Sequence, residues 1–502
     1  MTKLAVVLSR AEFGVQAPQV RVEVHISRGL PKLNIVGMPE TAVKESKDRV
    51  RAAIMNSGYE FPQHRITINL SPADIPKHGG RYDLPIAIGV LAASDQIKRD
   101  RLYDVELVGE LALGGDLRPI RGVLPVVSAV AKTGRSLICP VDNGVEAALV
   151  QSCDCMLASN LLQVAAWMDT VGELPRAELK GLNFNNHCPD LADVKGQEHA
   201  KRALIIAASG KHNLLFYGPP GTGKTMLASR LPGILPDLTE AEALETASVA
   251  SISAHGFDPA CWSQPPFRAP HHTASAPALV GGGSNPMPGE ISMAQNGVLF
   301  LDELAEFSRH VLEVLREPLE SGKIIISRTA RTAEFPARFQ LLASLNPCPC
   351  GYFGDPDRTC ECSMGQIQNY RNRISGPLLD RIDLQVEVPR IPYKTLRQPS
   401  NNITSSQTIK QQVIKSRQIQ LARNKGKSNA QLQGKEIEQY IPLSEPLLDF
   451  LEQVVDQLRL SARAYHRIIK VSRTIADLAG SELVQQNHLA EAISFRGFDR
   501  AK

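Results

Sequence analysis

The stretch NLLFYGPPGTGKT, residues 213 to 225, constrains this chain more than any other. A short apolar run, Asn213 to Tyr217, reads as a buried strand and feeds directly into G-x-x-x-x-G-K-T. Gly218, Gly221 and Gly223 allow backbone N–H groups to turn inward around phosphate oxygens, with Pro219, Pro220 and Thr222 completing the loop. Lys224 reaches the β- and γ-phosphates, and the Thr225 hydroxyl suits Mg²⁺. The apolar MLASRL that follows requires a helix. Strand, loop and helix in that order predict an α/β domain built to hold a nucleoside triphosphate.

Two further strands complete the expected site. GVLFLDEL puts four apolar residues, Val298 to Leu301, ahead of Asp302 and Glu303. A fully apolar strand ending in two carboxylates fits a buried sheet whose tip carries chemistry: Asp302 for the Mg²⁺ shell, Glu303 to orient and polarise the attacking water. FQLLASLN repeats the pattern and ends in Asn346, placed to sense the γ-phosphate. Alone, an Asn at a strand end is an ordinary turn former; its order after the first two motifs raises it.

The chain has 502 residues, too many for one core, and is 43% hydrophobic and 22% charged, as soluble globular proteins are. Net charge is +4, so a basic surface must be local. No apolar run is long enough to span a membrane, and the opening LAVVL is too short for a signal-peptide core, so a cytoplasmic location is expected. Three segments are predicted. Residues 1–175 alternate strands such as RVEVHIS and RITINL with a helix over TAVKESKDRVRAAIMNSG, whose Val43, Val50, Ala53 and Ile54 share a face. Residues 176–190 are a polar linker, 191–390 the nucleotide domain, 391–405 a second linker, and 406–502 a helical lid. In LSARAYHRIIKVSRTIADLAG, Tyr465, Ile468, Ile469, Ile475 and Leu478 form an apolar stripe, with Arg463, Arg467, Lys470 and Asp477 largely off it.

Loop, acidic strand and Asn-tipped strand, followed by LLDRID and a helical end, resemble an AAA+ ATPase. RAPHHTASAPALVGGG, PGEISMAQNGVLFLDEL, NPCPCG and the opening LPKLNIVGMPETAVKESKDRVRAAIMNSG resemble the ComM/YifB family of magnesium-chelatase-like ATPases over nearly the whole chain. The resemblance implies a homo-hexameric ATPase that, in the ComM branch, drives DNA branch migration during natural transformation. It implies ATP and Mg²⁺ as ligands. It makes Arg381 an arginine finger reaching a neighbour's γ-phosphate, where a fixed positive charge stabilises the transition state; an ion pair with Asp380 or Asp383 is the plainer alternative. It makes Arg463 the second sensor arginine, with Arg467 competing, and KGQ, Lys195 to Gln197, the loop bracketing the adenine. A chelatase-type motor remodelling a protein partner and a nucleotide-gated scaffold are the rival readings.

Residues GKIIISRTARTAEFPARF read as a hairpin, Lys323 to Ser327 pairing near Glu334, with Arg328, Thr329, Ala330 and Arg331 at the turn. In a ring such a hairpin points into the pore, where Arg328 and Arg331 would touch DNA phosphates, single-stranded, duplex or branched, without reading bases; otherwise it is an exposed basic turn. The first segment resembles the Lon protease domain in GDLRPIRGVLPVVSAVAKTGRSLICPVDN and PADIPKHGGRYDLPIAIGVLAAS. Arg81 aligns where Lon has its serine, and Leu124 and Val126 lie where a lysine is expected, so peptidase chemistry is absent. Such a domain would serve assembly or DNA binding, with Lys77, Arg81 and Arg121 as candidate basic contacts, or else be purely structural.

Four of the nine cysteines, Cys348, Cys350, Cys360 and Cys362, follow Asn346 directly. Four thiolates suit tetrahedral Zn²⁺, and the Gly-, Asp- and Pro-rich residues between the pairs can fold around a metal. The C-x-C spacing is tighter than usual for structural zinc, which keeps free thiols and an iron–sulfur cluster as alternatives. Cys153 and Cys155 read as ordinary thiols.

Overall fold

The continuous apolar runs around the phosphate loop become a sheet buried on both faces, as an all-parallel sheet must be. The structure, a computed structural model, describes residues 3–179, 188–283, 286–328, 331–392, 404–458 and 460–500. Five strands lie in the order Phe267–Arg268, Val298–Leu301, Gln340–Leu345, Leu214–Tyr217, Leu384–Glu387, every neighbouring pair parallel. Every residue of Val298–Leu301 and Gln340–Leu345 is buried. Because the strands run the same way, their C-terminal tips share one edge, where ligands of open α/β sheets bind. Tyr217 is level with Leu345, and Leu301 with Ala343.

A second, mixed sheet of seven strands occupies the N-terminal segment, in the order Lys32–Val36, Arg65–Ser71, Gln19–Ser27, Lys3–Arg10, Val105–Leu107, Ser136–Pro140, Cys155–Ala158. The helix Asp83–Ala93 is buried along its whole length. Its Gly89 permits that: a Cβ there would stand 2.6 Å from Val24 Cγ2 of the sheet. The expected amphipathic helix forms over Thr41–Asn56 and buries Val43, Val50, Ala53 and Ile54.

The chain is thus mixed α/β with a parallel nucleotide-type sheet, closed at its C-terminal end by helices that include Ser406–Arg423, Glu445–Gln457, Ala462–Leu478 and Gln486–Ser494. The middle of the first linker (180–187) and most of the second (393–403) fall outside the described residues. Residue 177 still adds to the sheet edge, its N–H donating to Cys155 O at 2.9 Å.

Two expectations need correction. On Ala462–Leu478 the face carrying Lys470 and Asp477 is buried as well as the apolar stripe. That helix packs against Ser406–Arg423 on one side and the sheet domain on the other. Its charges are therefore neutralised internally: Arg423 and Arg473 both bind Asp477, and Lys470 donates to the Ala430 carbonyl at 2.8 Å. In the N-terminal segment, Lys77 and Arg81 are not surface contacts. Lys77 is fully buried and donates to the Pro72 carbonyl; Arg81 is buried on Glu12 and the Arg121 carbonyl. Of the three, Arg121 alone is exposed. Among the described residues no helix is long and apolar enough to cross a membrane.

Candidate functional site

The three polar strand tips converge as the parallel register requires. Lys224 Nζ donates to the Gly218 and Pro219 carbonyls at 2.7 and 2.8 Å and to Asn346 Oδ1 at 3.1 Å. Phosphate loop and Asn-tipped strand are thereby joined through one ammonium. Thr225 Oγ1 donates to Asp302 Oδ2 at 2.8 Å, so the two residues assigned to Mg²⁺ are adjacent. Gly218, Gly221 and Gly223 all have positive φ. At Gly218 glycine is also required by space, because a Cβ would collide with the Val388 carbonyl.

Glu303 sits at φ 53°, left-handed for a non-glycine residue. Its N–H donates to Asp302 Oδ1 and Ser344 Oγ, both at 3.1 Å, and Ser344 Oγ donates to Asp302 Oδ1. This local network holds the backbone turned, so that Asp302 points at Thr225 while the Glu303 side chain departs in another direction. That side chain faces a cleft of about 340 Å³ lined by Thr225, Ser229, Phe267, His271, His272, Phe300 and Asp302 among others. Burial pulls the Lys224 ammonium down to about 8, against the raising influence of Asp302 and Glu303.

The loop assigned to the adenine lies alongside. Gln197, itself at φ 57°, donates from Nε2 to the Pro389 carbonyl at 2.7 Å, tying this loop to the chain leaving the last strand.

The arginines divide. Arg381 keeps only 7% side-chain exposure and binds Glu320 and the Pro377 carbonyl of its own chain. To act on a neighbour it must exchange Glu320 for phosphate. Arg467 is committed to buried Asp383, whereas Arg463 is exposed in the first turn of its helix. Of the two sensor candidates, Arg463 is the one presented to solvent. In the hairpin, Lys323–Arg328 pairs antiparallel with Arg331–Pro336, placing Arg328 opposite Arg331 at the last register position. Ile324, Ile326, Ala333 and Phe335 are buried beneath it. Residues 329 and 330, and the side chains of Arg328 and Arg331, lie outside the described residues.

The four cysteines gather. Cys348, Cys350 and Cys360 Sγ atoms are 3.4–3.6 Å apart, and all four thiols lie within 4.8 Å of one another. A tetrahedral ZnS₄ site with bonds of ~2.3 Å has sulfur–sulfur edges of about 3.8 Å, so the cluster fits zinc. The separations exceed the ~2.05 Å of a disulfide. Phe353 N–H donates to Cys348 Sγ and Cys362 N–H to Cys360 Sγ. Donation from the Tyr352 backbone draws the Cys350 thiol down, whereas burial and the neighbouring thiols push Cys360 and Cys362 up. The loop leans on the phosphate loop and on the chain leaving the last strand. A Cβ on Gly351 would lie 2.7 Å from Pro220 Cδ of the phosphate loop, and Asp355 pairs with Arg390 at 2.9 Å just past the last strand.

Comparison with known proteins agrees with this geometry. The magnesium chelatase subunit ChlI model matches residues 190–396, a second ChlI model residues 22–143, and the ChlI C-terminal model residues 403–496. Competence protein ComM of Haemophilus influenzae is 54% identical over 99% of this chain and 98% of its own. The uncharacterized protein YifB of Escherichia coli is 50% identical over 99% and 98%. This chain belongs to the ComM/YifB family of magnesium-chelatase-like AAA+ proteins. The 38 kDa magnesium-chelatase subunit of Rhodobacter capsulatus is 28% identical over 31% of this chain and 49% of its own. The family implies ATP and Mg²⁺, and the Thr225–Asp302 pair beside Lys224 has the donor set for both. Sequence reasoning passed over His271 and His272 in this ComM/YifB-family site; a histidine pair just past a strand end was the available signal.

Proposed function

We propose that the chain is an ATP-hydrolysing DNA motor that assembles as a homo-hexamer in the cytoplasm and moves DNA branches during recombination of incoming DNA. The observation carrying this reading is the basic-tipped hairpin on the nucleotide domain: its base is packed into the core around the acidic strand, and Arg328 and Arg331 are paired at its end. The name of the Haemophilus influenzae relative, a competence protein, supports the same direction.

In this reading Lys224 neutralises the β- and γ-phosphates, and Asn346, bonded to Lys224, registers the γ-phosphate. Mg²⁺, held through Thr225 and Asp302, would offset the charge developing on the transferred phosphoryl group. Glu303 orients water from the cleft side. Arg381 leaves Glu320 to face the neighbouring subunit's site, and Arg463 supplies a further cation from the lid. Zinc on Cys348, Cys350, Cys360 and Cys362 staples the loop that leans on Pro220. The domain limits of 1–175, 191–390 and 406–502, with linkers between, describe the working units.

ATP turnover measured with and without single-stranded, duplex and branched DNA tests the reading; stimulation by DNA is expected. The chelatase family models favour one alternative, remodelling of a protein partner, which DNA would leave unstimulated.

A further inference from the structure

Glu303 carries a long, flexible side chain, 48% exposed, into an open cleft. Its backbone is pinned by Asp302 and Ser344, but that restraint stops at the main chain. A carboxylate that must hold one water in line for attack needs its oxygens fixed too, because misplacement by about 1 Å can cost on the order of a hundredfold in rate. The group facing it is His272, whose Nδ1 lies 3.7 Å from Glu303 Oε2. That is slightly beyond hydrogen-bond range, as catalytic contacts often are before substrate closes them.

His272 is itself well placed to act as a fixed support. It follows Phe267–Arg268, the edge strand paired directly with the acidic strand. The strand's exit is anchored by Arg268, which grips Glu290 through two bonds of 2.7 and 2.8 Å. The ring of His272 lies against that of His271 at a centroid separation of 4.1 Å, and His271 Nδ1 contacts Thr273 Oγ1 at 2.9 Å. Both histidine rings line the cleft that Glu303 enters.

We infer that His272 is the positioning residue for Glu303: its ring nitrogen donates to Oε2 and leaves Oε1 to orient the attacking water. This rests on the proposed role of Glu303 in hydrolysis. In this role His272 acts through the carboxylate, so its loss belongs in kcat rather than in nucleotide affinity.

The test uses the full chain, with steady-state ATP turnover and nucleotide affinity measured separately. His272→Phe keeps the ring contact with His271 but removes the donor, and kcat is expected to fall about ten- to a hundredfold with affinity unchanged within about twofold. His272→Gln retains an N–H donor and is expected to recover much of the rate. In Glu303→Gln, expected to be at least about a hundredfold slower, adding His272→Phe should cause no further loss, because the two act as one unit. Normal turnover in His272→Phe beside a dead Glu303→Gln overturns this inference alone. Equal loss in His272→Phe and His272→Gln also overturns it, since the donor would not then be what matters. Normal turnover in Glu303→Gln overturns the underlying role of the carboxylate.

Discussion

Lys224 shows how one residue's environment sets a measurable pH dependence. Burial holds its ammonium near 8 before nucleotide binds, and bound phosphates can only raise that value. Affinity for ATP is therefore expected to be flat well below pH 8, where Lys224 is already protonated. Above pH 8 binding must draw a proton from solution, so affinity should fall by up to about tenfold per unit. Lys224→Ala should weaken binding roughly ten- to a hundredfold and flatten this profile, as a nucleotide titration across pH 7–9.5 would reveal. At this scale the sequence was most legible where local order carries meaning. Lys224, Thr225, Asp302, Glu303 and Asn346 each sit at a fixed offset from an apolar strand, so their convergence follows from parallel pairing. It was least legible for charges whose partners are remote in sequence. Arg81 meets Glu12 across 69 positions and Arg381 meets Glu320 across 61, and no spacing rule reveals either.

The cysteine loop could be read in its chemistry but not in its position. Its composition pointed to a metal, and the clustered thiols fit one. Its position could not be read from composition, since the seating of Gly351 on Pro220 and of Asp355 on Arg390 depends on how the loop returns to the sheet. Zinc should be present at about one per chain by elemental analysis. Cys350→Ser should release it and open residues 347–363 to proteolysis, while ATP binding weakens only severalfold, because the loop supports the phosphate loop without contributing a phosphate ligand. Intact zinc content in Cys350→Ser would remove that cysteine from the ligand set. The hairpin is the complementary case: its pairing could be read from the sequence, but three consecutive isoleucines do not say which face turns inward, and the structure buries Ile324 and Ile326 and leaves Ile325 outward.

In the assembled protein, a trans-acting Arg381 requires neighbouring copies. Arg381 is sequestered within its own chain, so a finger acting in trans must be released when subunits meet. Arg381→Ala should bind ATP yet hydrolyse it slowly, and mixing it with inactive Lys224→Ala chains should restore partial turnover, because an intact finger then faces an intact phosphate loop. Absence of recovery in the mixture would place Arg381 in a structural role with Glu320. The division of labour between the two sheets was foreseeable from the change in patterning, near-continuous apolar strands in one and alternating strands such as QVRVEVHIS in the other. Whether ATP hydrolysis moves a DNA branch is decided by a strand-exchange assay on a labelled branched substrate. ATP-dependent displacement of the labelled strand by the native protein is expected. Arg328→Ala/Arg331→Ala should lose displacement with basal turnover nearly intact, and its DNA binding should show a shallower salt dependence as fewer phosphates are neutralised. A native protein that turns over ATP at full rate while the branch stays where it was would contradict the proposed DNA motor.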